Sequence, residues 1–206
     1  MPDSLDTAQL IAIASVLGFA SGIRLYAVLF AVGLAGYMQW VPLPPGLQLL
    51  AHPWVLGASG LMMAIEFFAD KIPALDSLWD TVHTLIRIPA GAALAAAVFG
   101  GDSALWATLA ALLGGSLAAT SHFTKAGGRA LVNTSPEPFS NLAVSGAEDA
   151  LVGGLLLLVL AYPWVAAAIV LLLVVLAAWL LPKLVRFIVR LLQRLVGRTS
   201  AREGAS

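Results

Sequence analysis

Long runs of apolar residues dominate this chain of 206 residues and limit what it can fold into. Residues 151–181 are almost continuously apolar, interrupted only by Tyr162-Pro163-Trp164, and residues 9–36 contain a single charged side chain. A helix needs about 20 mostly apolar residues to cross a hydrocarbon core of about 30 Å. Only 11% of the residues are charged, whereas a soluble domain uses about a quarter. The sequence therefore predicts an integral membrane protein.

The apolar runs predict an all-α, polytopic bundle of about six transmembrane helices. We place the spans at residues 7–37, 53–71, 78–99, 103–125, 141–162 and 164–182. The first is too long for one perpendicular crossing, so it must tilt strongly or break, and Gly18, Ser21 and Gly22 are where a break costs least. Residues 1–182 are thus predicted to form the membrane domain, followed by a tail over residues 183–206.

The tail is basic, and its charges recur at helical spacing with apolar residues between them. They are Lys183, Arg186, Arg190, Arg194, Arg198 and Arg202. This pattern predicts an amphipathic helix that binds anionic lipid at the cytoplasmic face, although a solvated tail is the alternative for its last residues. The connections 39–52, 100–102 and 162–164 carry no Lys or Arg. The positive-inside rule then predicts a cytoplasmic C-terminus and, with six spans, a cytoplasmic N-terminus.

Nearly every other ionisable residue falls at the span ends on the predicted cytoplasmic side. Four of them, Asp76, Asp80, His83 and Arg87, share one stripe of a helix. Acids four residues apart repel each other, and more strongly at membrane depth, so they need a cation, a shared proton or a metal ion. The candidate residues for substrate binding or ion coupling are Arg24, Glu66, Asp70, Asp76, Asp80, His83, Arg87, His122, Lys125, Arg129, Glu148 and Asp149.

Three interpretations of these residues remain open. They are interfacial charges or salt bridges that fix helix packing, or they bind a solute or coupling ion, or they hold a divalent cation. A metal site would use Asp76, Asp80 and His83, with Glu148 or Asp149. The sequence contains no cysteine, which excludes disulfides, thiolate metal ligands and cysteine nucleophiles.

Three sequence blocks resemble a family of bacterial integral membrane proteins, Domain of Unknown Function 4126. They are Ala-Ser-Gly-Ile-Arg at 20–24, Glu-Phe-Phe-Ala-Asp-Lys-Ile-Pro at 66–73, and His-Phe-Thr-Lys-Ala-Gly-Gly-Arg at 122–129. The resemblance covers about residues 17–154. It implies a small multi-span protein of a bacterial cytoplasmic (inner) membrane, and it implies no activity or ligand.

Charged residues inside a bundle with a broken first helix are features of small transporters and channels. Transport of a small polar or ionic solute is therefore the favoured interpretation, and no motif offers an obvious nucleophile and base. One alternative is a metal-dependent enzyme acting on a phospholipid head group, whose phosphate Lys125 and Arg129 would hold. Another is an accessory membrane protein. Small residues inside the helices also permit a homodimer, and nothing in the sequence indicates nucleic-acid binding.

Overall fold

The computed structural model describes residues 5–72, 75–100, 103–133 and 138–203, without the side chains of 138, 191, 192 and 194–203. These residues form six α-helices and one 3-10 helix, and no strand occurs among them. The helices are α1 (Thr7–Tyr37), the 3-10 helix (Pro45–Ala51), α2 (Pro53–Ala69), α3 (Leu75–Val98), α4 (Ala104–Val132), α5 (Pro138–Ala161) and α6 (Pro163–Glu203). The predicted all-helical class is confirmed.

Five helices, α1 and α3 to α6, are long and apolar enough to cross a membrane. The 3-10 helix and α2 meet at a bend of 70° and form a sixth candidate if they count as one span. The predicted start of the tail lies inside α6, which continues through Pro182 to Glu203. The side chains of Arg194, Arg198 and Arg202, on which the predicted basic face depends, lie outside the described part of the chain.

Helix α1 is broken at Arg24, whose φ of −140° and ψ of 73° are not helical. The predicted break is thus confirmed, two residues after Gly22. We refer to residues 7–23 as α1a and to residues 25–37 as α1b. A break leaves the last carbonyl groups of α1a without backbone N–H partners. The Nζ of Lys125 lies 3.2 Å from the carbonyl oxygen of Ile23, so a side chain of α4 satisfies one of them.

The segment α1a runs parallel to α4. Gly18 packs against Gly114, where an added Cβ would lie 2.6 Å from the Gly114 Cα, and Gly22 packs against Ala118 four residues further along both helices. Helix α3 runs the other way, since it forms a hairpin with α4 through the stacked rings of Phe99 and Trp106. Small residues, glycine above all, allow helix backbones to approach this closely.

The segment α1b runs antiparallel to α2. Because α2 and α4 run in the same direction, α1b also runs opposite to α1a. Phe30 packs at Gly60, and Gly33, one turn further along α1b, packs at Leu56, one turn earlier in α2. Helices α2 and α4 end side by side, because Arg129 of α4 donates to the Asp70 carbonyl at 2.9 Å. We call this end of the bundle, where α2 and α4 end and α3 and α5 begin, the polar end. Arg24 is the apex of a V-shaped α1 that points toward it.

This reversal determines where the start of α1 lies relative to the later part of α6. Because α1a is parallel to α4, Thr7 lies near the level at which α4 begins, away from the polar end. Helix α6 runs toward the polar end, where its Leu184 packs against Gly127 of α4. The start of α1 and the later part of α6 thus lie at opposite ends of the bundle. This arrangement differs from the sequence prediction, in which residues 7–37 cross the membrane once and both termini lie on one side.

An apolar layer fills the half of the bundle away from the polar end, around the central α1a. Its buried side chains include Val16, Leu17, Leu94, Val98, Leu155, Val159 and Val170. Each belongs to the apolar part of a helix that carries charged residues nearer the polar end. The fold therefore concentrates buried charged groups at one end and gives the other end an apolar core.

Candidate functional site

Ten charged side chains from five helices lie within ion-pair distance of one another at the polar end. They are Arg24, Glu66, Asp70, Asp76, Asp80, Arg87, Lys125, Arg129, Glu148 and Asp149, and we call them the charged cluster. All ten were candidates from the sequence. Asp149 is 39% exposed, and the other nine side chains are at most 12% exposed. Charges this deeply buried persist only when they are paired.

Asp70 lies at the centre of the charged cluster and is fully buried. It caps the end of α2, directly beneath the apex of α1. Its Oδ2 lies 2.5 Å from Arg24 Nη1, 3.2 Å from Lys125 Nζ and 3.6 Å from Arg129 Nη2. One carboxylate therefore joins α1, α2 and α4.

Arg87 bridges a second pair of acids. Its Nη2 lies 2.5 Å from Glu66 Oε1, and its Nη1 lies 2.6 Å from Asp80 Oδ1. The same Nη1 lies 3.3 Å from His122 Nδ1, and His122 Nε2 lies 2.7 Å from the Thr84 hydroxyl. Because a guanidinium only donates hydrogen bonds, a hydrogen bond at this contact requires Nδ1 as the acceptor, with a ring proton on Nε2.

Glu148 ties α5 to the same cluster through a two-pronged contact with Arg129. Arg129 Nε and Nη2 donate to the two carboxylate oxygens at 3.0 and 2.9 Å. Lys125 Nζ lies 3.4 Å from Glu148 and Arg24 Nη2 lies 3.6 Å from it. Such paired hydrogen bonds fix the orientation of both groups as well as their distance.

His83 lies at the edge of the charged cluster, and both of its ring nitrogens contact groups outside the cluster. Its Nδ1 is 2.8 Å from the Trp79 carbonyl, its Nε2 is 3.1 Å from the Tyr26 hydroxyl, and its ring stacks on Trp79. The structure does not bring His83 together with Asp76 and Asp80. Among the described residues, no three His, Asp or Glu side chains are grouped so that they could hold a metal ion. A metal site stays a prediction from the sequence.

Sequence analysis missed several uncharged groups that complete the network. Ser145 Oγ accepts from Arg24 Nη2 at 2.9 Å, Asn133 Nδ2 donates to Asp76 at 3.0 Å, and Asn141 donates to Asn133 at 3.0 Å. A signal for two of them was present. Asn141, Ser145 and Glu148 follow the same i, i+4, i+7 spacing as the stripe on α3.

Two clefts reach the charged cluster from different sides. One, of about 220 Å³, lies between α1, α4, α5 and α6 and is lined mainly by apolar side chains such as Leu173 and Leu180, with Lys125, Arg129 and Glu148 also in its lining. The other, of about 240 Å³, lies between α3 and α4 and is lined by Asp80, His122 and Arg129 among others. Toward the other end, the apolar layer covers the cluster, and no charged side chain of the described residues is buried within that layer.

These features define the chain as a multi-span helical membrane protein with a buried ionic centre at one end. The chain matches the family described as a domain of unknown function, DUF4126, over residues 11–183, and it belongs to that family. No curated protein and no solved structure matches it. The family identified from the three sequence blocks is confirmed, and its description names no activity.

Proposed function

We propose that the protein is a transporter of a small polar or ionic solute and that the charged cluster is its solute- or ion-binding centre. The observation that carries this proposal is the reversal of α1 inside the cluster. A helix broken at membrane depth exposes backbone groups that lipid cannot satisfy, so such breaks occur where protein or a water-filled cavity surrounds them. Transporters use the ends of broken helices to bind solutes and coupling ions.

The charges themselves support the same proposal. Ionisable residues within membrane helices are costly and commonly mark solute or proton pathways. Here the cluster joins α1, α2, α3, α4 and α5, so a change of charge or ligand at its centre acts on five helices at once. The apolar layer closes the other end, so transport requires the V of α1 to move and open a path through that layer.

The cleft between α4, α5 and α6 favours a second candidate, an enzyme acting on a lipid head group. Its mainly apolar lining suits an acyl chain, and Lys125, Arg129 and Glu148 also line it. A site that is accessible from one side of the membrane and closed by the apolar layer on the other is sufficient for such chemistry. Transport needs access from both sides.

Purified protein in proteoliposomes separates the two candidates. Small zwitterions and small organic or inorganic anions are added outside, and solute-driven charge movement and internal pH are recorded. We expect a response to one solute class, and we expect Glu148→Gln to slow it about tenfold, as for a lost charged hydrogen bond. Lys183→Gln, on the α6 surface, is the matched control. Phospholipid turnover in the same vesicles without any solute response would favour the enzyme.

We further propose that the polar end faces the cytoplasm of a bacterial cell. Lys71, Lys125 and Arg129 lie at this end, and Lys183 follows at the same end of α6. Residues 1–6, 38–52 and 99–103 contain no Lys or Arg, and those of them that the structure describes flank the helices at the other end. This distribution supports the proposal, since under the positive-inside rule the N-terminal end of α1 would then lie outside.

The absence of cysteine allows this orientation to be tested directly. Leu5→Cys and Lys183→Cys each introduce one thiol into a chain that has none. A membrane-impermeant maleimide is expected to label Leu5→Cys on intact cells, and Lys183→Cys only after the membrane is opened. Labelling of both positions from the same side would contradict the reversal of α1.

A further inference from the structure

We infer that Glu66 is the proton-binding site of the charged cluster and that it is a neutral carboxylic acid at neutral pH. The inference deepens the proposed transport function, since a bound proton would be the coupling ion. It is carried by the position of Glu66 in the ion-pair network.

The charges of the cluster do not balance if every member is ionised. Six carboxylates face four cations, which leaves two negative charges in excess. Asp149 accounts for one, because it is 39% exposed and can be solvated. The other belongs to a buried acid. If Glu66 is neutral, Asp70, Asp76, Asp80 and Glu148 balance Arg24, Arg87, Lys125 and Arg129.

Glu66 is the buried acid with the fewest compensating groups. It is 1% exposed and has one ion-pair partner, Arg87, which it shares with Asp80. Its Oε2 is buried and has no hydrogen-bond partner among the described residues, which is also true of Asp70 Oδ1 and Asp80 Oδ2, so the number of cations is what distinguishes Glu66 from these two acids. Asp76 also has one cation, but Asn133 and Ser77 donate to its Oδ1. Asp70 has three cations, and Asp80 has two.

The groups around Glu66 define how a proton would act there. Arg24 and Tyr26 face it from α1, Arg87 from α3, Lys125 from α4 and Asp70 from its own helix. Asp80 and His122 contact the far side of Arg87 and line the cleft between α3 and α4. Protonation adds one proton to Oε2 and removes one negative charge, so that Arg87 then forms an ion pair with Asp80 alone. Release of the proton makes the two acids compete for Arg87.

Infrared spectroscopy of the protein in lipid tests the inference without any transport assay. The chain contains only four glutamates, Glu66, Glu137, Glu148 and Glu203. Protein labelled with ¹³C at the glutamate carboxyl is expected to show a protonated-carboxyl band at neutral pH that disappears at high pH. Glu66→Gln is expected to abolish this band, and Glu148→Gln, at the other glutamate of the cluster, is expected to keep it.

A melting curve provides the second measurement. Gln has the shape of a neutral glutamic acid, so Glu66→Gln is expected to melt within about 2 °C of the unmodified protein. Three results would overturn the inference: no protonated glutamate band, a band that survives Glu66→Gln, or a melting temperature in Glu66→Gln as low as in Asp70→Asn. A confirmed band with no solute response in vesicles would leave Glu66 as a proton site and remove the transport function instead.

Discussion

Replacing Asp70 by Asn is expected to lower the melting temperature of the detergent-purified protein by about 10 °C. The change leaves Arg24, Lys125 and Arg129 without their shared carboxylate while all three stay buried. Removing one partner of a buried ion pair costs about 3–5 kcal/mol. A loss of 1 kcal/mol lowers the melting temperature of a chain of this size by about 2–4 °C.

Asp149→Asn is the matched control, because it makes the same chemical change within the same cluster. Within 4 Å and among the described residues, Asp149 has one cationic partner, Arg24, at 3.1 Å, and its side chain is 39% exposed. An exposed pair contributes about 0–1 kcal/mol, so a shift of no more than about 3 °C is expected. Similar shifts in the two variants would show that Asp70 is not the centre of the network.

The all-helical class follows from local properties of the sequence and was predicted correctly. Five of the six predicted spans fall on helices that are long and apolar enough to cross a membrane, whereas the span at 53–71 qualifies only together with the 3-10 helix. Apolar runs fix where a helix can enter lipid, and the spacing of Asp76, Asp80 and Arg87 fixes that they share a face. The structure places all three at the polar end with their side chains buried. The acids on α2 and α5 were likewise expected to need nearby cations, because unpaired charge at membrane depth is too costly.

The reversal of α1 could not be predicted, because it depends on the backbone angles of one residue and on groups far away in sequence. Glycine and serine predicted that a break would cost least at residues 18–22, yet the break occurs at Arg24. There Asp70 and Ser145 hold the side chain, and Lys125 satisfies the carbonyl of Ile23. These partners lie on α2, α4 and α5. Helical periodicity within one segment carries no information about them.

The same limit explains why His83 was grouped with the acids. Its position on the stripe of α3 is correct, but the direction of its ring is set by Trp79 and by Tyr26 on α1b. Conversely, His122 of α4 lies on the Arg87 side of the charged cluster. Spacing along one helix could not distinguish these two histidines.

Replacing Arg87 by Met is the second change with a large expected effect, and its partners make the outcome informative. Arg87 is fully buried and pairs only with Glu66 and Asp80 among the described acids. Its loss leaves Asp80 with Lys125 alone, 3.5 Å away. A cost of about 3–5 kcal/mol is expected, again about 10 °C in melting temperature.

The double variant Arg87→Met/Asp80→Asn is expected to recover more than half of that loss, because no buried carboxylate then lacks its cation. The two changes should be non-additive by about 0.5–3 kcal/mol, as for residues in direct contact. If Glu66 is neutral, adding Glu66→Gln to the double variant changes the melting temperature by no more than about 2 °C. If recovery instead requires Glu66→Gln, then Glu66 is ionised and Arg87 is the counter-charge of two carboxylates. Denaturation of the unmodified protein, the two single variants, the double variant and the triple variant in one detergent, at one scan rate, decides between a network that only fixes helix packing and one that keeps a site for a proton.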